Sequence, residues 1–186
     1  MIIVGLGNPG KKYAHNRHTV GHMFVDWVAA QQSHSAWHTD PHKLFDYQKL
    51  TQSDAKEIII AKTRTYMNES GKSVLSILRY YKKESAQSLV VAHDDLDLNV
   101  GDGKLDFAKG PKLHNGINSI ESSNRTNEFW RLRIGVDNRP PENRMAGDVY
   151  VLQDFTSEEF VRISALFPAL WERLMQMMAA DNLRGK

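Results

Sequence analysis

The chain contains no cysteine, which excludes disulfides, thiolate metal sites and a cysteine nucleophile, and fits a reducing compartment. It also lacks any apolar run approaching the length of a membrane span, so no membrane partner is expected. The N-terminus begins at once with strand-like residues, not with a charged segment followed by a long apolar one, and a cytoplasmic location is the default expectation. An excess of one charge sign is missing too. With 24 basic against 22 acidic residues and a formal net charge of +2, the protein cannot coat nucleic acid through bulk charge, and a polyanion would have to meet a local patch. Internal repeats and low-complexity segments are absent, which argues against a solenoid. What is present, 186 residues of which 41% are hydrophobic, suits one compact domain spanning residues 1–186 with a real core.

The first 21 residues, MIIVGLGNPGKKYAHNRHTVG, organise the rest. Ile2, Ile3 and Val4 form a short β-branched run that stops at Gly5, Gly7, Asn8, Pro9 and Gly10, the pattern of a buried strand ending in a tight loop. In an open α/β sheet the crevice beyond a strand's carboxyl end holds ligands, and Asn8, Tyr13, Arg17 and His18 follow that end. The spacing G-x-G-x-x-G also occurs here. A dinucleotide-binding version needs a helix opening at the third glycine, and Pro9 followed by Lys11, Lys12, Tyr13, Ala14 and His15 supplies no apolar helical face.

Val20, Met23, Phe24, Trp27 and Val28 predict a helix from about Thr19 to Gln31. His34, His38 and His42 lie four apart, but Pro41 and the surrounding serines predict a surface loop and not a helical metal comb. Phe45 and Tyr47 belong to a half-buried strand and Ile58 to Ala61 to a buried one, with a turn over Thr51 to Lys56. A helix bearing Val74, Leu75, Ile77, Leu78 and Tyr81 follows, capped by Asn68 or Ser70. Leu89 to Ala92 predicts the next strand, and His93 to Asp97 a carboxylate-rich loop beyond it. Leu105 and Phe107 suggest a further strand, residues 109–116 a loop with His114 and Asn115, and Ile117 to Ser123 a short helix.

In FWRLRIGV, Trp130, Leu132, Ile134 and Val136 alternate with Arg131 and Arg133, giving a strand whose polar face is either solvated or placed for phosphate contacts. Val149 to Leu152 reads as a final short strand. Thr156 and Glu159 form a capping box opening a C-terminal helix with Phe160, Ile163, Phe167, Leu170, Leu174 and Met177 along one side, which Pro168 should kink or restart. The alternation of elements predicts an α/β domain with a mixed, mostly parallel sheet and helices on both faces. The loops bearing His18, Asn68, Asp94 and His114 then emerge near one rim.

Five blocks, GLGNPGKKYAHNRHTVG, TYMNESGKSV, VAHDDLDL, LHNGI and RLRIGV, resemble in order the bacterial-type peptidyl-tRNA hydrolases. The resemblance implies a monomeric, metal-independent α/β enzyme without a cofactor that hydrolyses the ester between a peptide and the ribose of tRNA. It implies His18 as the catalytic base, Asp94 as the acid that holds it, and Asn8 as the residue that tells blocked from free aminoacyl groups. Tyr13, Tyr66, Asn68 and Asn115 match substrate-contacting positions, with His114 beside them. Lys104, Arg131 and Arg133 are then expected to meet tRNA phosphates, with Lys109 and Lys112 as further candidates.

Two places depart from the family pattern. Asn16 and Thr19 flank the Arg17–His18 pair where the family has Thr and Asn, and the stretch Ala108 to Leu113 replaces a glycine-rich one with a segment containing Pro111. Two other classes fit some of the same residues. One is a metal-dependent hydrolase using His93, Asp94, Asp95 and Asp97, joined by His15, His18 and His22. The other is a non-catalytic RNA-binding module on the same scaffold.

Overall fold

Ile2, Ile3 and Val4 are wholly buried, as a β-branched run in the middle of a doubly covered sheet must be. The computed structural model describes residues 1–31, 36–51, 57–82 and 88–184. In chain order the elements are β1 (Ile2–Gly5), α1 (Val20–Ala30), β2 (His38–Thr39), β3 (Phe45–Thr51), β4 (Glu57–Thr63), α2 (Ser70–Tyr80), β5 (Leu89–Asn99), β6 (Gly103–Phe107), α3 (Asn115–Asn124), β7 (Trp130–Asp137), α4 (Gly147–Tyr150) and α5 (Ser157–Arg184). The strands make one seven-stranded sheet in the order β2-β3-β4-β1-β5-β7-β6. β4, β1, β5 and β7 are parallel, and β2, β3 and β6 add antiparallel edges.

Strand alternation sorts the core into two layers. Ile3, Ile58, Ile60, Val90 and Ala92 face α1 and α5, packing against Phe24, Val28, Phe167 and Leu170. Ile2, Val4, Ile59, Ala61, Leu89 and Val91 face α2 and α3, against Val74, Ile77, Ile117 and Ile120. Each fully buried side chain of this size contributes about 1.5–3 kcal/mol by leaving water. At Gly5 and Gly21 the strand and the start of α1 touch backbone to backbone, and a Cβ on either would collide with the other's neighbourhood. This contact seats the start of α1 on the carboxyl end of β1.

Several expectations are corrected. β5 does not end at Ala92: it runs on to Asn99, pairing His93, Asp94 and Asp95 with Arg133, Ile134 and Gly135. The neighbouring strand supplies the ladder that the acidic sequence alone does not suggest. Residues 149–152 are not a strand, because Val149 and Tyr150 lie in α4 and a turn follows. Pro168 does not restart α5, which is one helix from Ser157 to Arg184. Ile163, Phe167, Leu170 and Leu174 pack as one buried face on both sides of the exposed proline.

Neither Asn68 nor Ser70 caps α2. Glu69 occupies that position without a side-chain cap, and Ser70 Oγ instead donates to the Met67 carbonyl. The predicted loop around His38 contains the short strand β2, paired with Tyr47 and Asp46, so the spaced histidines do not share a helix. His34 lies outside the described residues, as does the predicted turn after Thr51. The capping box at α5 is present: Glu159 N donates to Thr156 Oγ1 (3.2 Å) and Thr156 N to Glu159 Oε2 (2.8 Å).

Candidate active site

The β1 loop returns through a short helical turn, Arg17–Thr19, whose three residues are all buried. Residues near the start of α5 hold that turn. Arg17 N and His18 N donate to the carbonyls of Gln153 (3.0 Å) and Val151 (2.8 Å). The Arg17 guanidinium donates to Glu159 Oε2 (2.6 Å) and lies 4.2 Å from the Tyr150 ring centre. Asn16, one of the departures from the family pattern, donates to Asp154 (2.6 Å) and adds a β-bridge to it. His18 is thereby fixed at the rim of the sheet.

His18 Nδ1 lies 2.9 Å from Asp94 Oδ1, and His114 Nε2 lies 2.9 Å from the same oxygen. The proton positions follow from the backbone. His114 caps α3, its Nδ1 accepting from the amides of Gly116 (3.0 Å) and Ile117 (3.2 Å). An imidazole nitrogen that accepts carries no proton, so the hydrogen is on Nε2 and is donated to Asp94. The carboxylate accepts from His18 in the same way, which places the His18 proton on Nδ1 and leaves the Nε2 lone pair free.

Burial opposes the charged form of His18, but the Asp94 charge and hydrogen bond outweigh it, and the pKa is raised above the ordinary 6.5. For Asp94 burial likewise opposes ionisation. The attraction of His18 and then His114, with their hydrogen bonds, nonetheless holds the carboxyl far below the usual range. His93 and His22 behave oppositely. His93, whose Nδ1 donates to the Asp94 carbonyl (2.7 Å), is pushed down to about 3, chiefly by burial and then by the nearby His114. His22 is also lowered to about 3, by burial and then by Lys62.

The trio opens into a cavity of about 980 Å³. Its lining brings together Asn8, His18, Tyr66, Asn68, Asp94, His114 and Asn115, with Leu96, Leu113, Val149 and Leu152 as an apolar wall. Asn8 is oriented by the chain, since its Oδ1 accepts from Met67 N (2.9 Å). Tyr13 is not part of the lining; its ring lies under Lys12 Nζ at 4.7 Å. The wall residues at 149 and 152, and the Met67 amide that aims Asn8, carry no chemical signal in the sequence, and only the shape of the cavity reveals them.

Ligand atoms of His18, Asp94 and His114 all lie within 4.8 Å of one another, a spacing at which a metal ion would fit. The donor set argues against one. His114 offers the cavity a protonated Nε2, its other nitrogen being spent on the helix, so it has no free lone pair for an ion. Of the acids proposed for a metal site, Asp95 is bound by Arg133 Nε (2.6 Å).

The expected phosphate contacts divide. Lys104 and Lys109 are exposed, and the exposed Lys112 has its ammonium 3.6 Å from Asp97. Arg131 and Arg133 do not fit the expectation, being 3% and 7% exposed. Arg131 donates to Glu121 (2.5 Å) and the Gly110 carbonyl (2.5 Å), and Arg133 to Asp95 and to Asp106 (2.9 Å). The loop after β6, with Glu121 of α3 and the acids Asp95 and Asp106, occupies the strand face that the alternation left open to solvent.

The family model described as peptidyl-tRNA hydrolase matches residues 2–184. A peptidyl-tRNA hydrolase of Sulfurihydrogenibium sp. (strain YO3AOP1) is 43% identical over 157 residues, 84% of this chain and 79% of that protein. One from Mycobacterium marinum is 39% identical over 160 residues, covering 86% and 81%. The crystal structure of peptidyl-tRNA hydrolase from Acinetobacter baumannii superposes with a TM-score of 0.83 at 30% identity, covering 97% of this chain and 90% of that one.

Proposed function

The chain belongs to the peptidyl-tRNA hydrolase family, and from that premise we propose that it cleaves the ester of peptidyl-tRNA with His18 as general base and Asp94 as its orienting carboxylate. The observation that carries this reading is the free Nε2 of His18, fixed by Asp94 at the wall of a cavity shared with Asn8, Asn68 and Asn115. Nε2 takes a proton from water as the oxygen attacks the ester carbonyl, and positioned base catalysis of this kind is worth roughly a hundred- to ten-thousand-fold. The imidazolium that forms is stabilised by the carboxylate behind it. The amides of Asn68 and Asn115 are available to the carbonyl oxygen as negative charge develops, or to the peptide backbone.

Selection for a blocked amino group follows from the orientation of Asn8. With its oxygen engaged by Met67 N, the group left for substrate is the NH₂ donor, which suits the carbonyl of an acylated amine. A free ammonium brings only donors and leaves that pairing unmade. The exposed Lys104, Lys109 and Lys112 face the tRNA backbone in this reading, giving salt-sensitive binding. A monomer in the cytoplasm is the setting we assign to it.

The test compares N-acetylaminoacyl-tRNA with its unblocked counterpart, with and without exhaustive EDTA treatment. Turnover of the blocked ester alone, undiminished by EDTA, is expected. Binding of tRNA without turnover would make the protein an RNA-binding module, and loss of activity to the chelator would restore a metal mechanism.

A further inference from the structure

Arg131 and Arg133 stand close behind the cavity yet contribute nothing to its lining. Their guanidiniums instead hold the loop of residues 108–113, which leads directly into His114. Arg131 donates to the Gly110 carbonyl at 2.5 Å. Gly110 has a φ of +64° and lies flat against Arg133, where a Cβ would come within 2.5 Å of the guanidinium carbon. A side chain there is therefore strained by the backbone conformation and crowded by the guanidinium.

The same Arg133 bridges Asp95 on β5 and Asp106 on β6. Asp95 accepts from Asp97 N (2.8 Å), and Asp97 accepts from Lys112 N (3.2 Å) on the far side of the loop. The loop is thus tied at Gly110 to the buried Arg131 and at Lys112 to Asp97, whose own amide is held by Asp95.

We infer that Arg131 and Arg133 are positioning residues of the active site: with Gly110 they clasp the 108–113 loop, and so set His114 against Asp94 and Leu113 over the substrate cavity. This rests on the hydrolase reading above for its catalytic consequence, though not for its structural one. A phosphate-binding arginine must offer its fork to solvent, and these two are spent inside the protein.

Gly110→Ala and Arg133→Lys test it, the first removing no charge and the second keeping it while losing the bridge. Each is assayed on full N-acetylaminoacyl-tRNA and on the N-acetylaminoacyl ester of adenosine, which lacks a tRNA body. Hydrogen exchange at the Lys112 amide is followed alongside. The clasp predicts kcat lower by about tenfold on both substrates, an unchanged salt dependence of KM, and exchange at Lys112 faster by about tenfold or more. If Arg133→Lys instead raises KM on full N-acetylaminoacyl-tRNA alone, with kcat and the adenosine ester unaffected, Arg133 is a phosphate contact and the inference fails. It fails equally if both variants lose thermal stability while kcat and Lys112 exchange stay at wild-type values. Asp106→Asn serves where Arg133→Lys does not fold. A wild-type protein without turnover would refute the hydrolase reading, whereas the Lys112 exchange would still decide the clasp.

Discussion

Asp94 and Asp95 are neighbours on one strand, 2% and 1% exposed, and they serve opposite sides of it. Successive side chains of a strand point to opposite faces, so Asp94 meets two imidazoles and Asp95 meets a guanidinium. An imidazole can gain and lose a proton near neutral pH, whereas a guanidinium stays charged. The first pairing is suited to moving a proton and the second to holding a shape. What decides each acid's use is the partner that the fold delivers to it, since burial and sequence position are shared.

The largest effect that would break this contrast is on the Asp94 side. His18→Ala and Asp94→Asn should each lower kcat by about a hundred- to ten-thousand-fold, measured in single-turnover hydrolysis of N-acetylaminoacyl-tRNA. The wild-type acidic limb of kcat/KM should lie above 6.5, because the base works only when neutral and its pKa is raised. In Asp94→Asn the limb should move down, as the carboxylate that raises it is gone.

Asp95→Asn should show the reverse profile. It leaves Arg133 with Asp106 alone, so urea unfolding should reveal a loss of about 3 kcal/mol, with a fall in kcat far smaller than that of Asp94→Asn.

Histidines sharpen the comparison through pH. His22 and His93 are held near 3 in the folded protein against 6.5 ordinarily, so below pH 6.5 the unfolded chain binds more protons. Stability should fall as the pH drops from about 6.5 toward about 3, by at most about 1.4 kcal/mol per pH unit for each histidine. His18 acts in the opposite sense. Its raised pKa gives stability that is complete below 6.5 and is lost as the pH rises through the folded value. His93→Leu should lower the acid slope of the unfolding free energy by about one proton.

The smallest effect belongs to the surface. Lys104→Ala should weaken tRNA binding modestly and reduce the salt slope of log KM by about one, leaving kcat unchanged.

The candidate site was readable in the sequence wherever chemistry-bearing residues follow a buried strand directly. Asn8 and His18 come after Ile2–Val4 in this way, and Asp94 comes after Leu89–Ala92. The contrast between Asp94 and Asp95 was not readable. The run from His93 to Asp97 looks like a solvated loop until β7 is known to pair with it, and Arg131 and Arg133 look like a wet strand face until the 108–113 loop and the acids that bind them are known to occupy it. Local pattern reports period and polarity, while the partner that neutralises a buried charge is set by tertiary pairing. His114 is a similar case. A histidine is an unusual helix cap, and the amides of Gly116 and Ile117 that fix its proton belong to backbone that composition does not describe.

Glu159 Oε2 receives both the Thr156 amide that begins the last helix and the guanidinium next to His18. One oxygen atom thus joins two parts of the polypeptide whose partners stand 142 positions apart. During synthesis on a ribosome His18 is made early, but its turn stays unsupported until the start of α5 has emerged. In the proposed mechanism, competence to cleave therefore waits for a segment made long after His18.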